Sequence, residues 1–190
     1  MKTITFNQKN FKEIIQTLKL GGVIIFPTDT VYGIGTLISN EKGIKKLFEI
    51  KNRPVDKPFQ VLISDLKQIQ LFAKETNQTA KELIKNHWPG PLTLIFKKKA
   101  EVLNVITANK DTIGLRMPDH PLLLKLMKKT GPLVVSSANL SGNKPPTNPE
   151  EVKIEADLLL NGGKCKIGQS STIIDVSNNK PIILRNQPRL

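Results

Sequence analysis

Hydrophobic positions recur along this chain in two spacings, and their alternation predicts the architecture. Phe11, Ile14, Ile15 and Leu18 fall at i, i+3, i+4 and i+7, and Gly21 and Gly22 follow as a stop, so a helix is expected over residues 8–20. Residues 23–26, VIIF, form a short apolar run that predicts a buried strand, which Pro27 ends before Thr28, Asp29 and Thr30. That strand delivers three small polar side chains to a sheet end. Beyond Tyr32, Gly33 and Gly35 read as a glycine-rich loop. Asn40 then caps a second helix with Ile44, Leu47 and Phe48 inward, which runs out at Pro54.

The same reading continues to the C-terminus. Strands are expected over 59–63, 92–96, 112–117, 133–135, 158–160, 173–176 and 181–185. Helix faces fall on Leu66, Ile69 and Phe72, on Ala80, Leu83, Ile84 and Trp88, and on Leu122, Leu123, Leu126 and Met127. Strands and helices alternate and the strands outnumber the helices, so the fold class is α/β, a twisted mixed β-sheet flanked by helices. Ligands in such folds sit beyond the carboxyl ends of strands, which is where Thr28 to Thr30, Ser136 to Asn139 and Arg185 fall, so those ends could line one pocket.

Length and composition narrow this picture. A chain of 190 residues with 38% hydrophobic content builds one sizeable core, so residues 1–190 are read as a single domain. The absence of any apolar run near ~20 residues, and of a signal-peptide pattern, predicts a cytoplasmic protein with no membrane partner. Cys165 is alone, which excludes a disulfide framework and a cysteine zinc site. The net charge of +13 points to polyanionic company. Of the 29 basic residues only four are Arg, at 53, 116, 185 and 189, so arginine is kept for positions where a planar, bidentate donor matters.

The candidate chemistry follows from what is present and what is missing. Asp119, His120 and Ser136 or Ser137 could compose a triad, but no G-x-S-x-G elbow accompanies them. The P-loop pattern is absent, Gly33 and Gly35 lack the third glycine of a dinucleotide fingerprint, and no metal-ligand cluster occurs. What remains is a set of cations and hydroxyls: Lys51, Arg53, Lys57, Arg116 and Arg185 with Thr30, Ser136, Asn139 and Ser171. Such a set suits phosphoryl or nucleotidyl transfer, where positioning and charge stabilisation supply most of the catalysis. An RNA-binding module without catalysis, acting in tRNA or ribosome maturation, is the rival. The charge supports it, and the 5% aromatic content speaks against base stacking.

Seven segments in order give the chain a specific resemblance. They are PTDTVYGIG from Pro27, Lys51-x-Arg53 followed by Pro54 and Lys57-Pro58, PGPLT from Pro89, GLRMPDHP around Arg116, SSANLSG from Ser136, SST before Ile173, and ILR ending at Arg185. The sequence resembles the YrdC-like threonylcarbamoyl-AMP synthases in a short form without the extra C-terminal domain, and it departs from many relatives after ILR. The resemblance implies a YrdC-like single domain with a basic central cleft. It also implies a nucleotidyltransferase that joins L-threonine, bicarbonate and ATP, accompanied by Mg2+, into threonylcarbamoyl-AMP and pyrophosphate. A downstream threonylcarbamoyl transferase would complete the tRNA modification; direct contact with tRNA is left open. A carbamoyl-transfer domain like that of hydrogenase maturation proteins is a third reading, disfavoured by the absence of acylphosphatase and zinc-finger segments.

The resemblance also carries residue roles. It implies that Lys51, Arg53, Ser137 and Asn139 serve the catalytic step. Lys51, Arg53, Lys57, Thr112, Asn139, Thr147 and Arg185 would surround the nucleotide, and Thr30, Arg116, Ser136 and Ser171 would hold threonine. No residue is assigned to a protein-bound metal. Arg116 stands in an apolar strand and needs an anionic partner, because an unpaired buried charge costs several kcal/mol. The nearest acids in sequence, Asp111 and Asp119, occupy loop positions. The partner is left between an internal Asp or Glu and, as the resemblance implies, the threonine carboxylate; if threonine supplies it, the free protein is expected to hold a poorly compensated cation.

Overall fold

The computed structural model describes residues 1–52, 56–140, 142–178 and 180–185. Ten strands are described: β1 (Lys2–Thr5), β2 (Ile24–Phe26), β3 (Gly33–Leu37), β4 (Gln60–Leu62), β5 (Leu92–Lys97), β6 (Thr112–Arg116), β7 (Leu133–Ser137), β8 (Leu158–Asn161), β9 (Thr172–Asp175) and β10 (Ile182–Arg185). They form one sheet in the order β1-β8-β2-β3-β7-β4-β6-β5-β9-β10. The sheet is mixed: β4 and β6 run parallel, as do β5 and β9, while β7 and β4, and β5 and β6, are antiparallel. The helices are α1 (Phe11–Lys19), α2 (Glu41–Lys51), α3 (Ile69–Phe72), α4 (Gln78–His87), α5 (Asn104–Thr107) and α6 (Pro121–Thr130). Among the described residues no helix is long and apolar enough to cross a membrane.

The period of two along each strand sends alternate side chains to opposite faces. One face is covered across its width. Ile25, Ile34, Val61, Leu94, Leu115, Val134 and Ile174 pack there against Ile44 and Leu47 of α2, Ile69 and Phe72 of α3, Ala80 and Ile84 of α4, and Ile106 of α5. The other face is covered on one half only. There Phe11, Ile14 and Leu18 of α1 and Leu123, Leu126 and Met127 of α6 bury Ile24, Phe26, Leu62, Leu133, Val135, Leu158 and Leu160. No described helix covers the continuation of that face over β6, β5 and β9, and this open half is where the cleft lies.

Three local readings need correction. Gly33 to Gly35 is not a loop but part of β3, paired antiparallel with both β2 and β7. A Cβ on Gly35 would stand 2.5 Å from the Val134 carbonyl oxygen, so glycine is required by close packing inside a sheet rather than by a turn. β1 was not foreseen, because KTIT is a mostly exposed edge strand without an apolar run. The second helix starts as expected, with the Asn40 side chain accepting from Gly43 N at 3.1 Å. It ends at Lys51 because Asn52 adopts a left-handed conformation, φ 42°, which asparagine tolerates; Pro54 lies outside the described residues.

Candidate active site

The cleft is a cavity of about 290 Å³ on the open half-face. Its floor is built by alternation: Thr93 and Ile95 of β5, Gly114 and Arg116 of β6, and Ile173 of β9 face it, while Leu94, Leu115 and Ile174 between them point into the opposite core. Gly114 pairs with Gln60 on β4 and Ile95 on β5 and leaves the centre of the floor without a side chain. The polar lining includes Thr28, Thr30, Ser136, Ser137, Ser171, Arg116 and Arg185, with Thr30 in direct contact with Arg116 and Ser136 and Ser137 at the other end of the strands. Among the described residues no Asp or Glu lines it.

Arg116 is fixed on three sides. Its Nε donates to the Gly90 carbonyl at 3.0 Å, Nη1 to Thr30 Oγ1 at 2.9 Å and Nη2 to Asp29 Oδ1 at 2.6 Å. The expectation of a poorly compensated cation is therefore corrected: Asp29, from the turn after β2, is an internal partner, and both side chains are almost wholly buried. Sequence distance misled because 87 residues separate the pair, and the segment that follows β2 meets the last residue of β6 across the cleft. Burial pushes the Arg116 pKa below the usual arginine value, and the Asp29 charge opposes that shift. Asp29 Oδ2 is buried without a hydrogen-bond partner.

Arg185 enters the same cleft from the sheet's far edge. Its Nε donates to the Ser171 carbonyl at 2.8 Å and its Nη2 to Ser171 Oγ at 3.2 Å, and Ser171 Oγ lies 2.8 Å from Thr93 Oγ1. Among the described residues no carboxylate is paired with it. Its pKa is lowered first by burial and then by the like charge of Arg116, so the two guanidinium groups feel one another.

The remaining assigned residues divide. Ser136 and Ser137 line the cleft at the end of β7. Lys51 is 1% exposed, and its Nζ donates to the Ser137 carbonyl at 2.7 Å and to the Asn139 carbonyl, so it anchors the turn that presents these residues. Asn139 Nδ2 donates to the Leu140 and Asn143 carbonyls at 2.8 and 2.7 Å, which leaves its Oδ1 buried and without a partner. Lys57 is exposed, beside the cleft-lining Pro58. Thr112 shares the strand face of Gly114 and Arg116 but stands outside the cavity lining. Thr147 also stands outside it, with its N–H and hydroxyl directed to Glu151 Oε2 at 2.6 and 3.0 Å. Arg53 lies outside the described residues.

Residue-type reasoning placed Thr28 and Asp29 at the strand end without giving them a role and passed over Gln60 and Thr93. The signal for Thr93 was available, because a lone threonine in the alternation LTLIF marks the face opposite the core. Three side chains capable of nucleophilic or acid–base work, Cys165, Tyr32 and His120, are otherwise engaged. Burial pushes the Cys165 thiol up to about 11 and the Tyr32 phenol up to about 12, so both are protonated at neutral pH. His120 is held below its usual pKa by burial, and its Nδ1 accepts from Leu123 N as the cap of α6.

Comparisons with known proteins agree with this geometry. Residues 16–187 match the family profile Sua5/YciO/YrdC, described as "Telomere recombination". The chain is 40% identical over 175 residues to the threonylcarbamoyl-AMP synthase of Pyrococcus abyssi, covering 88% of this chain and 51% of that protein. It is 38% identical over 188 residues to the Bacillus subtilis threonylcarbamoyl-AMP synthase, covering 96% and 54%. The chain thus spans about half the length of these two relatives. For the Vibrio campbellii threonylcarbamoyl-AMP synthase the identity is 36% over 148 residues, with 76% of this chain and 80% of that protein covered. Among solved structures, P. abyssi Sua5 complexed with L-threonine superposes with a TM-score of 0.89 at 37% identity, over 97% of this chain and 56% of that one. E. coli YciO superposes with a TM-score of 0.84 at 29% identity, over 94% and 89%. With a family match across most of its length, the fold of these structures and a basic cleft at the strand ends, the chain belongs to the Sua5/YciO/YrdC family.

Proposed function

We propose that this chain is a threonylcarbamoyl-AMP synthase, joining L-threonine, bicarbonate and ATP with release of pyrophosphate as the first step of threonylcarbamoyladenosine formation on tRNA. The observation that carries the reading is the charge of the cleft: two arginines face it, one carboxylate is paired with Arg116 alone, and no described acid lines it. Anionic groups of a substrate complete that balance. The names of the relatives and the threonine complex of P. abyssi Sua5 support the substrate.

The residues work by holding and by offsetting charge. Arg116 retains N–H groups for the carboxylate of threonine, and Arg185 supplies a second fixed cation where negative charge develops on the transferring phosphate. The threonine amine adds to carbon dioxide with release of a proton, or to bicarbonate with loss of water, to give a carbamate, whose oxygen attacks the α-phosphorus as pyrophosphate departs. No protein nucleophile enters, which agrees with the protonated Cys165 and the capped His120. Mg2+ arrives with ATP as part of the substrate. A transferase then takes the adenylate forward.

The test is pyrophosphate release by the purified protein with Mg-ATP, measured with threonine and bicarbonate present and with each omitted. Release is expected only with both. Release indifferent to threonine contradicts the reading, and salt-sensitive RNA binding without turnover favours the RNA-binding alternative.

A further inference from the structure

Among the described residues that line the cavity, Gln60 carries the one carboxamide. On β4 it pairs with Gly114 of β6, and Thr93 reaches the same glycine from β5 on the other side. Gln60 Cγ lies 3.6 Å, and Thr93 Cγ2 3.5 Å, from the place a Gly114 Cβ would occupy, so the two side chains meet over the glycine. There Gln60 Oε1 accepts from Thr93 Oγ1 at 3.4 Å, Thr93 Oγ1 lies 2.8 Å from Ser171 Oγ, and Ser171 Oγ accepts from Arg185 Nη2 at 3.2 Å.

This row of contacts has a direction. A guanidinium only donates, and each hydroxyl has one proton. With Ser171 accepting from Arg185, its own proton goes to Thr93 and the Thr93 proton to Gln60 Oε1, so each hydroxyl accepts once and donates once. The reverse order would turn lone pairs of Thr93 toward Gln60 Oε1 and leave the proton of the buried Ser171 without an acceptor among the described residues. Turning the amide over would repair the first fault and not the second. The network therefore assigns the amide orientation, and its long last link orients Gln60 without fastening it. Nε2 is left on the cavity side of a half-buried residue, with two N–H groups and no partner among the described residues.

We infer that Gln60 holds, through Nε2, the carboxyl group that bicarbonate contributes, with Thr93 as the positioning residue that turns the amide toward the cavity. Gln60 and Gly114 precede Leu62 and Arg116 by two residues on parallel strands, about 6.6 Å along the floor. An amino acid held by its carboxylate at Arg116 can extend along this floor, and the carboxyl group added to its nitrogen then falls over Gly114, where no side chain fills the space. A carboxylate offers only acceptors, and Nε2 offers only donors. The amide is also neutral: a guanidinium would bind the group more strongly but would draw off the charge that makes its oxygen nucleophilic. One oxygen accepts from Nε2 while the other forms the bond to the α-phosphorus as the bond to the pyrophosphate oxygen breaks, and the amide neither gains nor loses a proton. The inference rests on the proposed function and gives a subsite to the one substrate that had no side chain assigned to it.

The experiment measures pyrophosphate release in solutions freed of dissolved carbon dioxide, varying bicarbonate, threonine or Mg-ATP in turn with the other two saturating. Gln60→Leu removes the donors at similar volume, and Gln60→Glu replaces them with an anionic acceptor of the same shape, which decides the matter if the leucine variant does not fold. Each should raise the Michaelis constant for bicarbonate by about tenfold or more, as loss of a hydrogen bond to a charged group does, with the constants for threonine and ATP within threefold of the wild type. Thr93→Val should raise the bicarbonate constant about threefold, and Thr93→Ser, which keeps the hydroxyl, should restore it. A bicarbonate constant unchanged in the Gln60 variants, or three constants raised alike, overturns the inference while the proposed function stands. A Thr93→Val enzyme equal to the wild type takes the positioning role from Thr93. A wild type that releases no pyrophosphate with all three substrates present overturns the inference and the proposed function together.

Discussion

The two halves of one sheet face, continuous in hydrogen bonding, differ in what their alternating positions carry. Under α1 and α6 those positions are Ile24, Phe26, Leu62, Leu133 and Val135, all buried, with Phe26, Leu62 and Val135 also reaching the border of the cavity. Over β6, β5 and β9 the equivalent positions include Gly114, Arg116, Thr93 and, just before β9, Ser171, and they line a cavity. Where large apolar residues alternate, a helix must cover them; where glycine, threonine, serine and arginine interrupt the alternation, the strand stays open and keeps polar groups at fixed positions. On the proposed function, recognition falls to the second half while the first contributes core.

Arg116 belongs to both, so its replacement should have the largest effect. Arg116→Met leaves Asp29 buried without its cation, and breaking such a pair costs about 3–5 kcal/mol of folding stability. Denaturant unfolding should register this together with loss of threonine binding. An unchanged unfolding midpoint would mean that the Asp29 contact contributes little and that the halves are more separate than described. Leu126→Ala, in the covered half, should cost about 2–4 kcal/mol through the cavity left under α6. At temperatures where that variant is folded, its Michaelis constant for threonine should match the wild type; a large change would show that the covered half shapes the cleft directly.

A smaller effect should appear with pH. His120 has its folded pKa below the unfolded value of about 6.5, so protonation favours the unfolded chain. Its contribution to stability is fully present above about pH 6.5 and is lost as pH falls through the lower folded value. Thermal midpoints followed from pH 7 downward should therefore decline more steeply in the wild type than in His120→Asn, which keeps a side-chain cap for α6 but cannot titrate. Parallel curves would place the acid sensitivity elsewhere.

Much of this architecture was legible in the sequence because local rules govern it. The i, i+3, i+4 spacing in α1 and the Asn40 cap of α2 are decided by neighbours a few residues away. The cationic and hydroxyl set at the strand ends was legible too, since Thr30, Arg116, Ser136, Ser171 and Arg185 do converge on one cavity. What escaped depends on strand order. Asp29 meets Arg116 because the segment after β2 lies against a strand four places away in the sheet, and no spacing rule encodes that neighbourhood. Gly33 to Leu37 escaped for another reason: two glycines in five residues imitate a loop, and only the close approach of β7 reveals why a strand requires them. Lys51 reads as a phosphate ligand by charge, yet its ammonium is turned toward the carbonyls of Ser137 and Asn139, a backbone contact that side-chain patterns do not announce.

The central claim is that the open half-face, with its bare floor at Gly114, holds the reacting substrates while the covered half holds the fold. A Cβ at Gly114 meets only ordinary contacts, 3.5 Å to Thr93 Cγ2 and 3.6 Å to Gln60 Cγ, so a longer side chain there grows into the cavity and not into the core. The decisive measurement is threonine-dependent pyrophosphate release by Gly114→Leu, paired with its thermal midpoint. The account predicts turnover reduced by about 100-fold or more, equivalent to roughly 2.7 kcal/mol, with the midpoint within a few degrees of the wild type. Turnover equal to the wild type in a folded Gly114→Leu protein would contradict it and move the reaction off this face of the sheet.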